Sequence, residues 1–317
     1  MKIVIYPYNY HHNPLAGGEL YLTRLLNHLK QYHEITIICG CKEPYEHNGI
    51  QCLPQGDTVD VFTWHNELVK SADLIITQLI GSSAGYNKAV QHNKPLVFIA
   101  HNNSKNYAPR FGDPAKTHVV YNSYQLQSDL FNTFGHFNGT VLHPITPNYP
   151  HKSGDKITLV NCNHNKGGHI FMEIAKRLPQ YEFLGVFGGY GEQYEADLLN
   201  LTYLPNGVDM EKVYADTRIL LVPSEFESFS QCAIEAMCCG IPVLANPTPG
   251  IKENLADAGI YISRDDIDKY SQTLVYLLEN PQAWQRQSDV CYDRAQSVRE
   301  KSMIELDSFY KWLNKIV

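Results

Sequence analysis

Short apolar runs of β type alternate with helix-period segments along most of this 317-residue chain. KIVIYP reads as a first strand. GGELYLTRLLNHLKQ then places Leu20, Leu22, Leu25, Leu26 and Leu29 at helical spacing. EITIICG, DLIITQL, KPLVFIAH, HVVYN and TVLHPI follow as strands, and SYQLQSDLFNTFG as a helix with a Ser cap and a Gly stop. Strands joined through helices make a parallel sheet, covered on both faces by the crossovers. HPITPNYPHKSGDK, from His143 to Lys156, interrupts the pattern with Pro144, Pro147, Pro150 and Gly154, and reads as a linker. The alternation then restarts. ITLVNC, YEFLGVFG, NLTYLP, RILLVPS, IPVLANP and GIYIS are strand-like, GHIFMEIAKRLP is helical, and the chain beyond Asp265 is mostly helical. The pattern predicts an α/β protein of two doubly wound parallel-sheet domains, 1–149 and 150–299. Ligands are expected in a cleft at the carboxyl ends of the strands.

Composition narrows the classes. Hydrophobic residues make up 44% and charged residues 19%, which supports packed cores rather than disorder. A net charge of −7 counts against nucleic acid as the main partner. No apolar run approaches the roughly 20 residues that span a bilayer. MKIVIYPYNY is followed by no small-residue cleavage site and reads as a strand rather than a signal peptide. The eight cysteines form no CxxC pair and no zinc spacing, so a reducing cytoplasm fits. Peripheral attachment at a membrane stays open.

PSEFESFSQCAIEAMCCGIPVLA places Glu227 and Glu235 eight positions apart, the second inside an apolar run. RILLVPS is a buried-type strand and SQCAIEAMCCG a short helix stopped by Gly240, with Ser228 or Ser230 as its cap. Glu227 then lies in the loop before the helix and Glu235 about two turns inside it. The helix N-terminus between them offers N–H groups and partial positive charge to a phosphate. A carboxylate on each side, each able to accept from neighbouring hydroxyls, suits a sugar and a ribose flanking a diphosphate. Taken as a bare spacing, the pair reads first as a loop residue and an exposed helix-edge residue, and the surrounding residues reverse that reading.

The wider segment PSEFESFSQCAIEAMCCGIPVLANPTPGIKENL resembles the signature of the retaining glycosyltransferases of family 4. The match falls on Pro223, Ser224, Glu227, Phe229, Glu235, Ala236, Met237, Gly240, Pro242, Val243, Gly250 and Glu253. It implies the GT-B fold of two Rossmann-like domains, with the last helix, about 300–317, packing back on the first. Ser230 replaces the usual turn glycine, and Pro249 the first glycine of the later loop. LVNCNHNKGGHIFMEIAKRLP resembles the opening of the family's second domain and puts its phosphate-facing lysine at Lys166. An arginine common earlier in that loop is absent from Asn161 to Asn165. The loop of Tyr203, Leu204 and Pro205 corresponds to the base side. In the first domain, Gly17 and Gly18 before a helix resemble a loop near the donor phosphates, and Glu19 reads as a helix-start acid. His101, after a strand, resembles a histidine beside donor sugar and acceptor, with a structural hydrogen bond as its alternative. His11, His12, His65, His118, His143, His164 and His169 read as surface or loop residues, with His164 singled out by its place in the phosphate loop.

The resemblance implies a metal-independent, retaining transfer from a UDP- or GDP-linked sugar to a hydroxyl acceptor (a glycan, a lipid-linked molecule or a protein). Lys166 and the N–H groups near Ser228, Phe229 and Ser230 would meet the leaving diphosphate, Glu227 the sugar and Glu235 the ribose. Glu227, Lys166 and His101 are the candidate catalytic residues. No cofactor is implied, and DDID at Asp265–Asp268 reads as helix-start acids rather than a metal site. The rivals are a GT-B epimerase or phosphorylase, a nucleotide-sugar-binding module without turnover or a partner subunit, and a DNA-modifying transferase.

Overall fold

The computed structural model describes residues 1–7, 9–10, 16–56, 59–102, 117–135 and 138–317. The chain divides into two units. One holds Met1–Pro14, Gly18–Ile145 and Ser302–Val317; the other holds Leu15–Gly17 and Thr146–Lys301.

The first unit runs β1 (Lys2–Tyr6), α1 (Gly17–Leu29), β2 (Glu34–Cys39), β3 (Tyr45–His47), β4 (Ile50–Pro54), α2 (Val59–Ser71), β5 (Leu74–Gln78), α3 (Ser82–Gln91), β6 (Leu96–Ala100), β7 (Thr117–Tyr121), α4 (Tyr124–Phe134) and β8 (Gly139–Val141). Its sheet has the order β3-β4-β2-β1-β5-β6-β7-β8, parallel except where β3 pairs with β4. Alternate residues of β1 feed opposite faces: Ile3 and Ile5 pack under α1, whereas Val4 and Tyr6 join Ile75 and Val69. α4 starts where the sequence placed it, because the Ser123 side chain accepts from the Leu126 N–H, and it stops at Gly135.

The second unit runs β9 (Lys156–Val160), α5 (Gly168–Arg177), β10 (Phe183–Val186), β11 (Leu201–Leu204), α6 (Met210–Asp216), β12 (Thr217–Val222), α7 (Gln231–Cys238), β13 (Val243–Ala245), α8 (Pro249–Leu255), β14 (Ile260–Tyr261), α9 (Ile267–Glu279) and α10 (Pro281–Ile316). Its wholly parallel sheet has the order β11-β10-β9-β12-β13-β14. Ile219 and Leu221 of β12 face α5 and α9, and Leu220 and Val222 face α7. The chain reverses direction across the sheet between β9 and β12. That opens a crevice at their carboxyl ends, where doubly wound sheets take ligands.

Two expectations shift. The first division falls between Ile145 and Thr146, against the expected 149/150, and the second falls between Lys301 and Ser302, against the expected break at about 300. The segment read as a linker from His143 also begins buried. The His143 N–H donates to Glu305 Oε2 at 2.9 Å, its Nδ1 lies 2.8 Å from the same oxygen, and Tyr21 donates to the Leu142 carbonyl. These bonds tie the end of β8 to the last stretch of α10, whose Leu306, Phe309 and Leu313 are part of the first unit's core.

Phe309 is almost fully buried. Phe309→Ala should cost the first unit about 3–5 kcal/mol. Hydrogen exchange should show lost protection in β1 and α1 with β9 and β12 unchanged; a loss confined to α10 would contradict the assignment.

Candidate active site

The loops that follow β9 and β12 meet at the crevice. In the first loop Asn161 takes a left-handed conformation, φ 69°, and Asn163 Oδ1 accepts from the Lys166 N–H at 2.9 Å. Gly167 follows at φ 86°, and a Cβ there would stand 2.6 Å from Pro223 Cγ of the second loop. The loops are also sewn together by the Glu225 N–H, which donates to the Asn165 carbonyl at 2.7 Å. The result brings Lys166 Nζ to 2.6 Å from Glu227 Oε1, and Ser224 Oγ donates to that same oxygen at 2.8 Å. Glu227 is buried, and the Lys166 side chain is 21% exposed. Burial works against the Lys166 ammonium, but the charge and hydrogen bond of Glu227, with smaller contributions from Tyr190 and Cys232, together raise the lysine above its ordinary value. Lys166 is therefore a cation throughout the neutral range.

The turn into α7 is strained. Ser230 sits at the N-cap position with φ 70° and ψ 91°, a backbone that favours glycine, so the departure from the glycine pattern costs about 1–3 kcal/mol. Its side chain does not cap the helix, contrary to expectation; Oγ lies 3.4 Å from Cys232 Sγ instead. Asn254 steadies the turn by donating to the Phe229 and Ser230 carbonyls at 2.6 and 2.9 Å. Gly250 packs so closely that a Cβ would fall 2.2 Å from the Glu227 carbonyl oxygen. Pro249 is accommodated at the first turn of α8, behind the capping Thr248. By helix geometry the first N–H groups of α7 lack intrahelical acceptors, and Ser230 does not occupy them.

Glu235 is 3% exposed and accepts from the Tyr214 hydroxyl at 2.8 Å, so it is neither solvated nor a helix-edge residue. Sequence reasoning missed Tyr214 and Asn254, and gave Ser224 no role beyond the motif. It also missed Arg264, whose guanidinium lies 3.2 Å from Glu225 and donates to the His164 carbonyl. No periodic signal marks these residues. Tyr203 and Leu204 lie on edge strand β11, as the strand-like NLTYLP run predicts, so of the base-side loop residues only Pro205 falls just past the strand. Tyr203 stacks on Phe187 at 5.1 Å, because alternate side chains of β11 must cover the sheet face.

In the first unit His101 directly follows β6, and its Nε2 lies 2.8 Å from Gln78 Oε1. A Cβ on Gly18 would stand 3.3 Å from its ring, so the two are neighbours there; Gly17 groups with the second unit. Burial lowers His101 to about 4. Of the remaining histidines, His65 and His143 are buried rather than at the surface, because each finds a partner, the Pro54 carbonyl and Glu305. His118 lies on β7 against Trp312, and His164 stacks on His169 at 4.4 Å. His11 and His12 lie outside the described residues. Asp266 caps α9 and Asp268 pairs with Arg177, which engages both acids of the DxD triplet.

A histidine with a depressed folded-state value binds fewer protons than the unfolded chain between about pH 6.5 and 4. Its stabilising contribution is complete above 6.5 and is lost as pH falls towards 4. The His101 ring should stay neutral at pH 5.5 by NMR, and His101→Phe should flatten the stability slope in that window. A ring that titrates near 6.5 would contradict the burial account.

Residues 157–280 match the family model described as "Glycosyl transferases group 1". The chain is 32% identical over 80 residues to O-antigen chain mannosyltransferase B of Escherichia coli, covering 25% of this chain and 21% of that protein. It is 28% identical over 133 residues to an uncharacterized glycosyltransferase of Haemophilus influenzae, covering 38% and 37%. The match to these curated relatives thus spans well under half of their length. Among solved structures, Anabaena HepE in complex with UDP-glucose aligns at TM-score 0.82 and 15% identity, over 99% of this chain and 100% of that one. Sucrose-phosphate synthase from Thermosynechococcus elongatus aligns at 0.77 and 17% over both whole chains. WaaG, a glycosyltransferase involved in lipopolysaccharide biosynthesis, aligns at 0.73 and 15%, over 95% and 98%. The stretch that holds the paired Lys166 and Glu227 therefore resembles a glycosyl transferases group 1 domain, and the chain has the GT-B fold of these structures.

Proposed function

We propose that the protein is a retaining, metal-independent glycosyltransferase of family 4 type that moves a sugar from a nucleoside-diphosphate sugar to a hydroxyl acceptor. The observation that carries this reading is the Lys166–Glu227 pair, 2.6 Å apart, at the β9/β12 crossover in front of α7. The transfer breaks the bond between the anomeric carbon and the β-phosphate oxygen, and negative charge gathers on that oxygen. Lys166 and the N–H groups of α7's first turn meet this charge, a task that needs fixed cations and dipoles more than proton transfer. Glu227, held by Ser224 and Lys166, accepts from donor-sugar hydroxyls; Glu235 accepts from the ribose. The departing phosphate takes the acceptor proton on the same face as the acceptor oxygen bonds to the anomeric carbon, so no protein nucleophile is required. Ser228, Phe229 and Ser230 frame the phosphate turn, and Tyr203, Leu204 and Pro205 belong to the base side. Gly17, Gly18 and His101 are assigned to the donor phosphates and acceptor on the family resemblance. His101, neutral and tied to Gln78, acts there by hydrogen bonding rather than as a charge.

The acceptor is a glycan, a lipid-linked molecule or a protein, and the site of action is the cytoplasm. Among the described residues no helix is long and apolar enough to cross a membrane. Because HepE is described with UDP-glucose, UDP-linked hexoses are the first donors to test.

Incubation with UDP- and GDP-hexoses and pooled acceptors, in chelator, should release free diphosphate, with the product's anomeric configuration retained by NMR. Glu227→Gln should slow release by about 100-fold or more. Donor binding without release would favour a binding module, and an inverted product would overturn the retaining mechanism.

A further inference from the structure

We propose that Tyr214 is a positioning residue for the donor's ribose: it holds the Glu235 carboxylate in place for the 2′- and 3′-hydroxyls. The site thereby favours a ribonucleoside diphosphate over its dideoxy counterpart. The inference rests on the ribose role given to Glu235 above.

Glu235 lies in α7 between Ile234 and Ala236, both fully buried, and is itself 3% exposed. A carboxylate placed there without donors is costly and free to swing towards whichever donor it finds. Tyr214 supplies the donor from a different element, α6. Its hydroxyl is 2.8 Å from Glu235 Oε2 and 3.4 Å from its alternative acceptor, the Cys232 carbonyl, so the proton is directed to the carboxylate. Burial, and then the charge of Glu235, keep the phenol protonated and donating at any physiological pH.

The phenol is also a fixed point. Tyr214 is fully buried and shares a core cluster with Leu220, Val222 and Phe229, the last of these in the phosphate turn. The Tyr149 ring braces it edge-on, with centroids 5.5 Å apart and planes at 75°. A neutral phenol bonded to Oε2 orients the carboxylate through a single hydrogen bond and adds no charge of its own. Glu235 is four residues past Gln231, about 6 Å along the helix axis from the turn assigned to phosphate. That is the order of separation a nucleotide needs between its phosphate and its ribose hydroxyls.

The test is calorimetric binding of UDP, GDP and their 2′,3′-dideoxy forms to wild type, Glu235→Ala, Tyr214→Phe and the double variant, each first shown to be folded at the measuring temperature by a cooperative melting transition above it. Wild type should favour the ribo form of the diphosphate it binds, and Glu235→Ala should abolish that preference. Tyr214→Phe should weaken the ribo form about tenfold, leave the dideoxy form unchanged, and add nothing once Glu235 is absent. Equal weakening of both forms would make Tyr214 a packing residue and overturn the inference. So would an unchanged preference in Tyr214→Phe alongside a lost one in Glu235→Ala, with the ribose assignment left standing. A preference that survives Glu235→Ala, or failure of wild type to bind either diphosphate, would instead remove the underlying reading and this inference with it. Should Tyr214→Phe not fold, Tyr149→Leu carries the test: a several-fold loss for the ribo form alone is expected, and no change overturns the proposal.

Discussion

The pair of partly buried Lys166 and buried Glu227 sets the terms for the whole second unit. Removing a charge of this kind from water is expensive, and breaking such a pair by deleting one partner typically costs about 3–5 kcal/mol. The surroundings accordingly leave neither group alone. Ser224 donates to the same carboxylate oxygen, and the loop carrying Lys166 is folded by Asn163 and locked against Pro223 through Gly167. A cation held this way is oriented by its neighbours before any ligand arrives.

The same logic accounts for the strained turn beside the pair. Ser230 occupies a conformation suited to glycine, and its cost is offset by the Asn254 amide and by the close seat of Gly250 under Glu227. An N-cap serine that leaves its helix uncapped is a poor choice for stability. It is a sensible one where the helix N-terminus is kept for an anion. Arg264 and Asn246 extend the brace from the far side of the sheet: Asn246 donates to the Ser224 carbonyl, and Arg264 spans both loops. The arginine absent from the Lys166 loop has no replacement within that loop, yet a guanidinium from after β14 touches its backbone.

The strands of both sheets were legible because parallel strands buried on both faces write continuous apolar runs, as in RILLVPS and KPLVFIAH. The Glu227–Glu235 spacing was legible because a single loop and helix contain it. The short β3–β4 pair, with its half-polar residues, wrote no such run. The linker was read as starting too early because His143 reads as polar, whereas Glu305, far along the chain, gives it a buried partner. Tyr214, Asn254 and Arg264 were invisible for the same reason. Their partners belong to other elements, and only the β11-β10-β9-β12-β13-β14 order brings them within hydrogen-bond reach.

The most direct test is the thermal midpoint in chelator with saturating UDP, GDP or ADP, for wild type and Lys166→Ala. A ligand that binds only the native state must stabilise it, by about 2.7 kcal/mol at one hundred times its dissociation constant. The account predicts that one of these diphosphates raises the wild-type midpoint by several degrees and that Lys166→Ala loses most of the gain. A midpoint indifferent to all three, or a gain that survives loss of Lys166, would contradict it.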